Sequence, residues 1–188
     1  MCHRTRTQLF HNAIRDSVPD EFINTQRRKS NRIGMKESQP QRVLISGENA
    51  KYLEEAQIPL SLACVTHSGW PMVLSLWHMY SEGRLWCATQ KTAKVVEYLR
   101  REPRCAFEVA GEAPPYHGVR GQGIPTLNEK RGKEFLERLL WRYLKGIQSP
   151  LAKQLLSRSE NEVAIEIEPT NMFVWDYSKR MRSSLPVR

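Results

Sequence analysis

Apolar residues set the order of elements along this chain. Residues 59–66 (PLSLACVT), 71–80 (PMVLSLWHMY) and 84–89 (RLWCAT) are rich in aliphatic, β-branched and aromatic side chains, and the turn sequences HSGW and SEG separate them. That pattern predicts a three-strand antiparallel meander. Ahead of it, GENAKYLEEAQ reads as a short helix capped by Ser46, with Leu53 and Ala56 facing inward and Pro59 preventing continuation. After it, Thr92 caps a helix through AKVVEYLRRE that Pro103 ends, and RCAFEVAG returns to a strand pattern. VRGQGI reads as a glycine-softened strand in which a ligand or another backbone comes close. TLNE from Thr126 is a capping box, and Phe135, Leu136, Leu139, Leu140, Tyr143 and Leu144 repeat at helical spacing until Gly146. Ser149 and Pro150 open a further helix. Finally EVAIEIEP alternates with period two and MFVWDYS follows a Pro-Thr-Asn sequence, which predicts a terminal hairpin.

About six strands and four helices, mostly joined by short turns, predict an α+β, mainly β fold in which a six-stranded antiparallel sheet closes on itself with flanking helices. A doubly wound parallel sheet is disfavoured, because only one helical crossover falls between consecutive strands early in the chain. The domain is predicted to span 43–188. Residues 1–42 are polar and basic and read as a mobile tail.

Charge sharpens this division. The 188 residues carry 29 Lys and Arg against 20 Asp and Glu, a net +9, and the tail alone holds nine of those cations against four acids. Its run QRRKSNR has two readings, nucleic-acid contact or a solvated segment without a partner, and the second is the commoner case for such runs. Residues 56–81 lack Asp, Glu, Lys and Arg and are long enough to span a bilayer, but Pro59, His67, Ser68, Gly69 and Pro71 put a turn in their middle. Two buried strands and no membrane span are the reading. Cys2, Cys64, Cys87 and Cys105 form no C-x-x-C pair, and no signal-peptide pattern opens the chain, so a cytoplasmic protein with reduced thiols is expected.

Candidate chemistry concentrates where the third strand enters a helix. In CATQKTAKVVEYL, Thr89, Lys91, Thr92 and Lys94 gather hydroxyls and ammonium groups at a helix start, where unpaired N–H groups and the macrodipole favour an anion such as phosphate. A capped surface helix with solvated lysines fits the same residues. GVRGQG has the wrong glycine spacing and the wrong following element for a dinucleotide-binding loop. His67, His78 and His117 and the cysteines lack metal-ligand spacing, no nucleophile elbow occurs, and no close carboxylate pair sits in an apolar setting. The five tryptophans, Trp175 among them, suit core, a subunit interface or stacking on a flat ligand.

Over residues 57–177 the order of segments resembles the flavin-binding split-barrel family related to pyridoxamine 5′-phosphate oxidase. The resemblance rests on a Gly-x-Pro at the first turn, a strand ending in Ala-Thr, a Thr-Ala-Lys helix start, LRREPR leading into the next strand, APPYHGVRGQG and VWDYSK. It implies a homodimeric split β-barrel holding FMN, or a deazaflavin in some branches, between subunits; other members bind haem, for which His67, His78 or His117 would be axial candidates. By position, Val73, Leu74 and Ser75 would lie along the isoalloxazine and ribityl chain, Thr89, Thr92 and Lys94 would grip the phosphate with Lys91 as helper, and Trp175 would approach the flavin. The resemblance implies an oxidoreductase acting on a small-molecule substrate, with the flavin carrying the chemistry and no catalytic side chain named. Two departures stand out: Leu76 and Ala93 occupy positions where pyridoxamine phosphate oxidases carry basic residues that contact the cofactor's phosphate, and Lys179, Arg180, Met181 and Arg182 replace the Arg-x-His element with which those enzymes hold the substrate. Pyridoxamine phosphate is therefore not the expected substrate.

Overall fold

The computed structural model describes residues 47–181. The tail, the Ser46 cap and Arg182 lie outside those residues. Helix α1 (Gly47–Glu55) leads into strands β1 (Leu60–Val65), β2 (Pro71–Leu76), β3 (His78–Ser81) and β4 (Arg84–Gln90). Helix α2 (Lys94–Arg101), β5 (Cys105–Ala110) and β6 (His117–Asn128) follow, then α3 (Gly132–Leu144), α4 (Pro150–Leu156), β7 (Glu162–Asp176) and α5 (Ser178–Met181).

All seven strands form one antiparallel sheet in the order β2-β1-β5-β6-β7-β4-β3. Its two edge strands, β2 and β3, are consecutive in sequence with only Trp77 between them. A sheet whose opposite edges are joined by one residue must curl on itself, so this is the mainly β closing sheet that the pattern predicts and the split barrel that the resemblance implies, with seven strands among the described residues rather than six.

Two predicted connections differ. The run 71–80 is two strands and not one, so there is no continuous meander; it breaks at Trp77, whose indole stacks on Tyr143 of α3 at 5.0 Å and 9°. The His78 N–H also donates to Tyr143 Oη at 3.2 Å, pinning the corner to the helix. The terminal hairpin is instead the single strand β7, which pairs with β4 through its first half and with β6 along most of its length. Pro169, Thr170 and Asn171 make a β-bulge opposite Gln122 and Gly123, a place where a strand tolerates proline, and that explains why a turn signal is carried straight through.

Burial follows the pairing. β1 and β5 bury alternate residues, with Leu60, Leu62, Cys64, Phe107 and Val109 inside the barrel among Val95, Val96 and Leu99 of α2. β4 is buried on both faces: Leu85 and Cys87 point into the barrel, while Trp86 stacks on Phe135 of α3 at 4.0 Å and 6°. Gly132 lets α3 begin against the backbone of β7, since a Cβ there would lie 2.7 Å from the Val163 nitrogen. The capping box at Thr126 is not formed. Thr126 lies in β6, and Asn128 accepts from the Arg131 N–H at 3.2 Å to start the short 3-10 turn before α3. Ser149 caps α4 as predicted, accepting from the Ala152 N–H at 3.1 Å.

Arg142 of α3 ties down α1. Its guanidinium donates to the carbonyls of Leu53, Glu54 and Ala56 at 3.2, 2.6 and 2.5 Å, satisfying acceptors that a helix end leaves open. Among the described residues no helix is long and apolar enough to cross a membrane.

Candidate functional site

The alternation of β2 decides what it offers a ligand. Met72, Leu74 and Leu76 pack against the barrel core, while Pro71, Val73 and Ser75 face outward, Val73 with 67% of its surface exposed. Of the predicted row Val73, Leu74 and Ser75, two side chains therefore share an open face and Leu74 turns the other way.

Ser75 of β2 and Thr89 of β4 open on the same space. Both line one cavity of about 430 Å³ between the β2–β4 corner and helices α3 and α4. Trp77, Leu139, Leu151 and Leu155 make much of its wall apolar. Its polar groups include Gln90, Arg158 and Glu162, none of which sequence reasoning singled out. The Gln90 side-chain amide donates to the Glu162 carboxylate, and the two residues are also register partners on β4 and β7. Burial pushes the Glu162 pKa up, and the Gln90 bond partly opposes it. In EVAIEIEP, Glu162 shares a strand face with Glu166 and Glu168, which reads as a solvent face until α3 is seen to cover its first residues.

Lys91, Thr92 and Lys94 do not line that cavity. Thr92 is exposed and does not cap α2; the cap position is Ala93, extended at φ −65° and ψ 139° and without a side-chain bond, because a Gln90-to-Ala93 turn delays the helix by one residue. The Lys91 ammonium lies 3.5 Å from Glu129, which Arg100 shares at 3.3 Å. The Lys94 ammonium lies 3.1 Å from Glu97 Oε2, and His67 Nε2 lies 2.6 Å from Glu97 Oε1. Hydrogen bonding from His67, then from Lys94, holds the Glu97 carboxyl below the usual range.

Val73 lines a second cavity of about 400 Å³ on the outward sheet face, with Ser61, Glu108, Arg120 and Phe173 among its neighbours. Phe173 is 52% exposed and, with Val73, gives this face unpartnered apolar surface, while the equally exposed Val174, its neighbour on β7, points to the opposite face. Trp175 stands further along β7, tilted against Tyr177 at 5.2 Å, with its buried indole N–H lacking an acceptor among the described residues. Gly118 makes room for that ring: a Cβ there would lie 3.0 Å from Trp175 Cζ2.

The histidines are dispersed. His78 is fully buried with Nδ1 3.2 Å from Tyr143 Oη, and burial, reinforced by the Arg142 charge, lowers its pKa to about 4. His67 is exposed on Glu97, and exposed His117 sets its ring edge-on to Tyr52 at 5.3 Å. Among the described residues no group of three or more His, Cys, Asp or Glu is placed to hold a metal ion.

This architecture is the split barrel of pyridoxamine 5′-phosphate oxidase-like proteins. No family model matches the sequence, and no curated protein does. Solved structures do match. The conserved hypothetical protein Rv2991 of Mycobacterium tuberculosis is 24% identical with a TM-score of 0.59, covering 78% of this chain and 91% of its own. An F420 reductase is 21% identical with a TM-score of 0.55, covering 65% and 94%. A protein from Listeria innocua described as a pyridoxamine 5′-phosphate oxidase is 19% identical with a TM-score of 0.50, covering 66% and 92%. At these identities the likeness establishes the fold.

Proposed function

We propose that this chain is a flavin-dependent oxidoreductase that holds FMN along the outward face of β2, between two copies of the chain, and acts on a small substrate other than pyridoxamine phosphate. The observation that carries the reading is the shared cavity of Ser75 and Thr89: hydroxyl donors beside an apolar wall suit a flat apolar ring with an anionic tail. A deazaflavin is the second candidate, since an F420 reductase has the same fold.

When bound, a flavin supplies hydride chemistry at its ring. The chain's own residues position and shield it. Val73 offers an apolar surface to a ring face, Leu74 contributes main-chain groups, and Ser75 and Thr89 donate to the phosphate end. Lys91, Thr92 and Lys94 do not line the cavity and would join the phosphate site only if each ammonium turned from its carboxylate partner to the phosphate. The exposed Val73 and Phe173 on one sheet face support a second copy covering the ring, and Trp175 supplies an indole N–H near that boundary. The substrate exclusion rests on Lys179, Arg180 and Met181, which bring no histidine to the end of β7.

The test is a fluorescence titration of FMN against wild type and Thr89→Val. A loss of about tenfold is expected, matching a charge-assisted hydrogen bond of ~1.5 kcal/mol. Equal affinity would move the phosphate away from Thr89, and turnover of pyridoxamine phosphate at an ordinary enzymatic rate would overturn the substrate exclusion.

A further inference from the structure

Among the described residues, Arg158 is the one cation lining the cavity of Ser75 and Thr89. Its backbone is fixed between α4 and the following 3-10 turn: its N–H donates to the Leu155 carbonyl at 3.2 Å, and its carbonyl accepts from the Asn161 N–H at 3.0 Å. Its guanidinium makes no ion pair or hydrogen bond among the described residues. Neighbouring cations are committed elsewhere, Lys91 to Glu129, Lys94 to Glu97 and Lys133 to Glu160. The carboxylate that also lines the cavity, Glu162, is occupied by the Gln90 amide rather than by Arg158.

A guanidinium with no ion-pair or hydrogen-bond partner among the described residues, beside two hydroxyls and an apolar wall and with the nearby carboxylate engaged by an amide, can receive an oxyanion whose body is apolar. We propose that Arg158 recognises the anionic end of the ligand in this cavity, the 5′-phosphate if that ligand is FMN, and so supplies the positive charge absent at Leu76 and Ala93. The assignment deepens the flavin reading of the same cavity and rests on it for the identity of the ligand. Arg158 comes from the helical segment between α3 and β7, outside the strand and helix-start motifs that the resemblance assigns to the phosphate. The chain therefore takes its specificity for a phosphorylated flavin from a different element.

The experiment compares FMN with riboflavin, which lacks the phosphate, on wild type, Arg158→Gln and Arg158→Lys of the full chain. Wild type is expected to prefer FMN. In Arg158→Gln, FMN affinity falls about ten- to hundredfold, the value of a charge-assisted contact, while riboflavin affinity holds within about twofold. Arg158→Lys recovers part of the preference, as a point charge without the planar fork. Arg158 is exposed, so a thermal melt matching wild type checks that the variants fold. If wild type binds FMN and Arg158→Gln binds it equally well, the assignment is wrong and the flavin reading survives. If wild type binds neither flavin, the flavin reading fails, and titration with inorganic pyrophosphate tests Arg158 separately. Saturable binding lost in Arg158→Gln supports the anion site, and no binding, or binding that survives the substitution, overturns it.

Discussion

The Lys94 ammonium lies 3.1 Å from Glu97, and His67 holds that carboxylate's other oxygen at 2.6 Å. A phosphate arriving at the start of α2 therefore competes with Glu97 for Lys94. Glu97→Gln removes that competition and should tighten FMN several-fold, while Lys94→Ala should weaken it by no more than about tenfold, because a surface ion pair returns little when exchanged. Fluorescence titrations of the two variants check this, and unchanged affinity in both would return Lys94 to the solvated surface.

His78 makes stability depend on pH. Its folded pKa of about 4 lies below the ordinary 6.5, so the fold favours the neutral ring. The contribution is complete above pH 6.5 and is lost as pH falls from 6.5 toward 4, by about 3 kcal/mol in full. Denaturant unfolding of wild type and His78→Gln across that window should show the wild type losing more stability on acidification. Parallel curves would mean that His78 is protonated without cost.

Helix α3 depends on Phe135, which is fully buried and stacked on Trp86. Phe135→Ala should cost about 3–5 kcal/mol in unfolding free energy and diminish the near-ultraviolet signal of Trp86. A cost below about 1 kcal/mol would show that α3 is held chiefly by its contacts with α4.

The outward face of Val73 and Phe173 is read as the meeting surface of two copies. Phe173→Glu puts a charge at its centre and should shift the protein toward monomer in sedimentation velocity, with FMN affinity falling in parallel if both copies frame the ring. A wild type that is already monomeric at micromolar concentration would contradict the reading.

Much of this fold is legible in the sequence. The alternation of LSLACV and CAFEVA, the i, i+3, i+4 repeat from Phe135 to Leu144 and the Ser149-Pro150 helix start all appear in the structure, because each reflects local periodicity or capping. What was not legible depends on distant partners. Trp77 breaks a continuous apolar run because Tyr143, far along the chain, stacks on it. The Pro-Thr-Asn signal becomes a bulge because β6 pairs on both sides of it. Thr89 sits on a strand read as such and Ser75 on the first part of a run read as one strand, yet Arg158 and Glu162 reach the same cavity only through the packing of the segment after α4 and of β7, which no spacing in the sequence reports.

The most direct test of the central claim is titration of the purified full-length chain with FMN, followed by flavin fluorescence and by absorbance retained after desalting. Saturable quenching at one FMN per chain, with flavin absorbance co-eluting with the protein, is the predicted result. No quenching and no retained absorbance with FMN, and none with a deazaflavin, would contradict it.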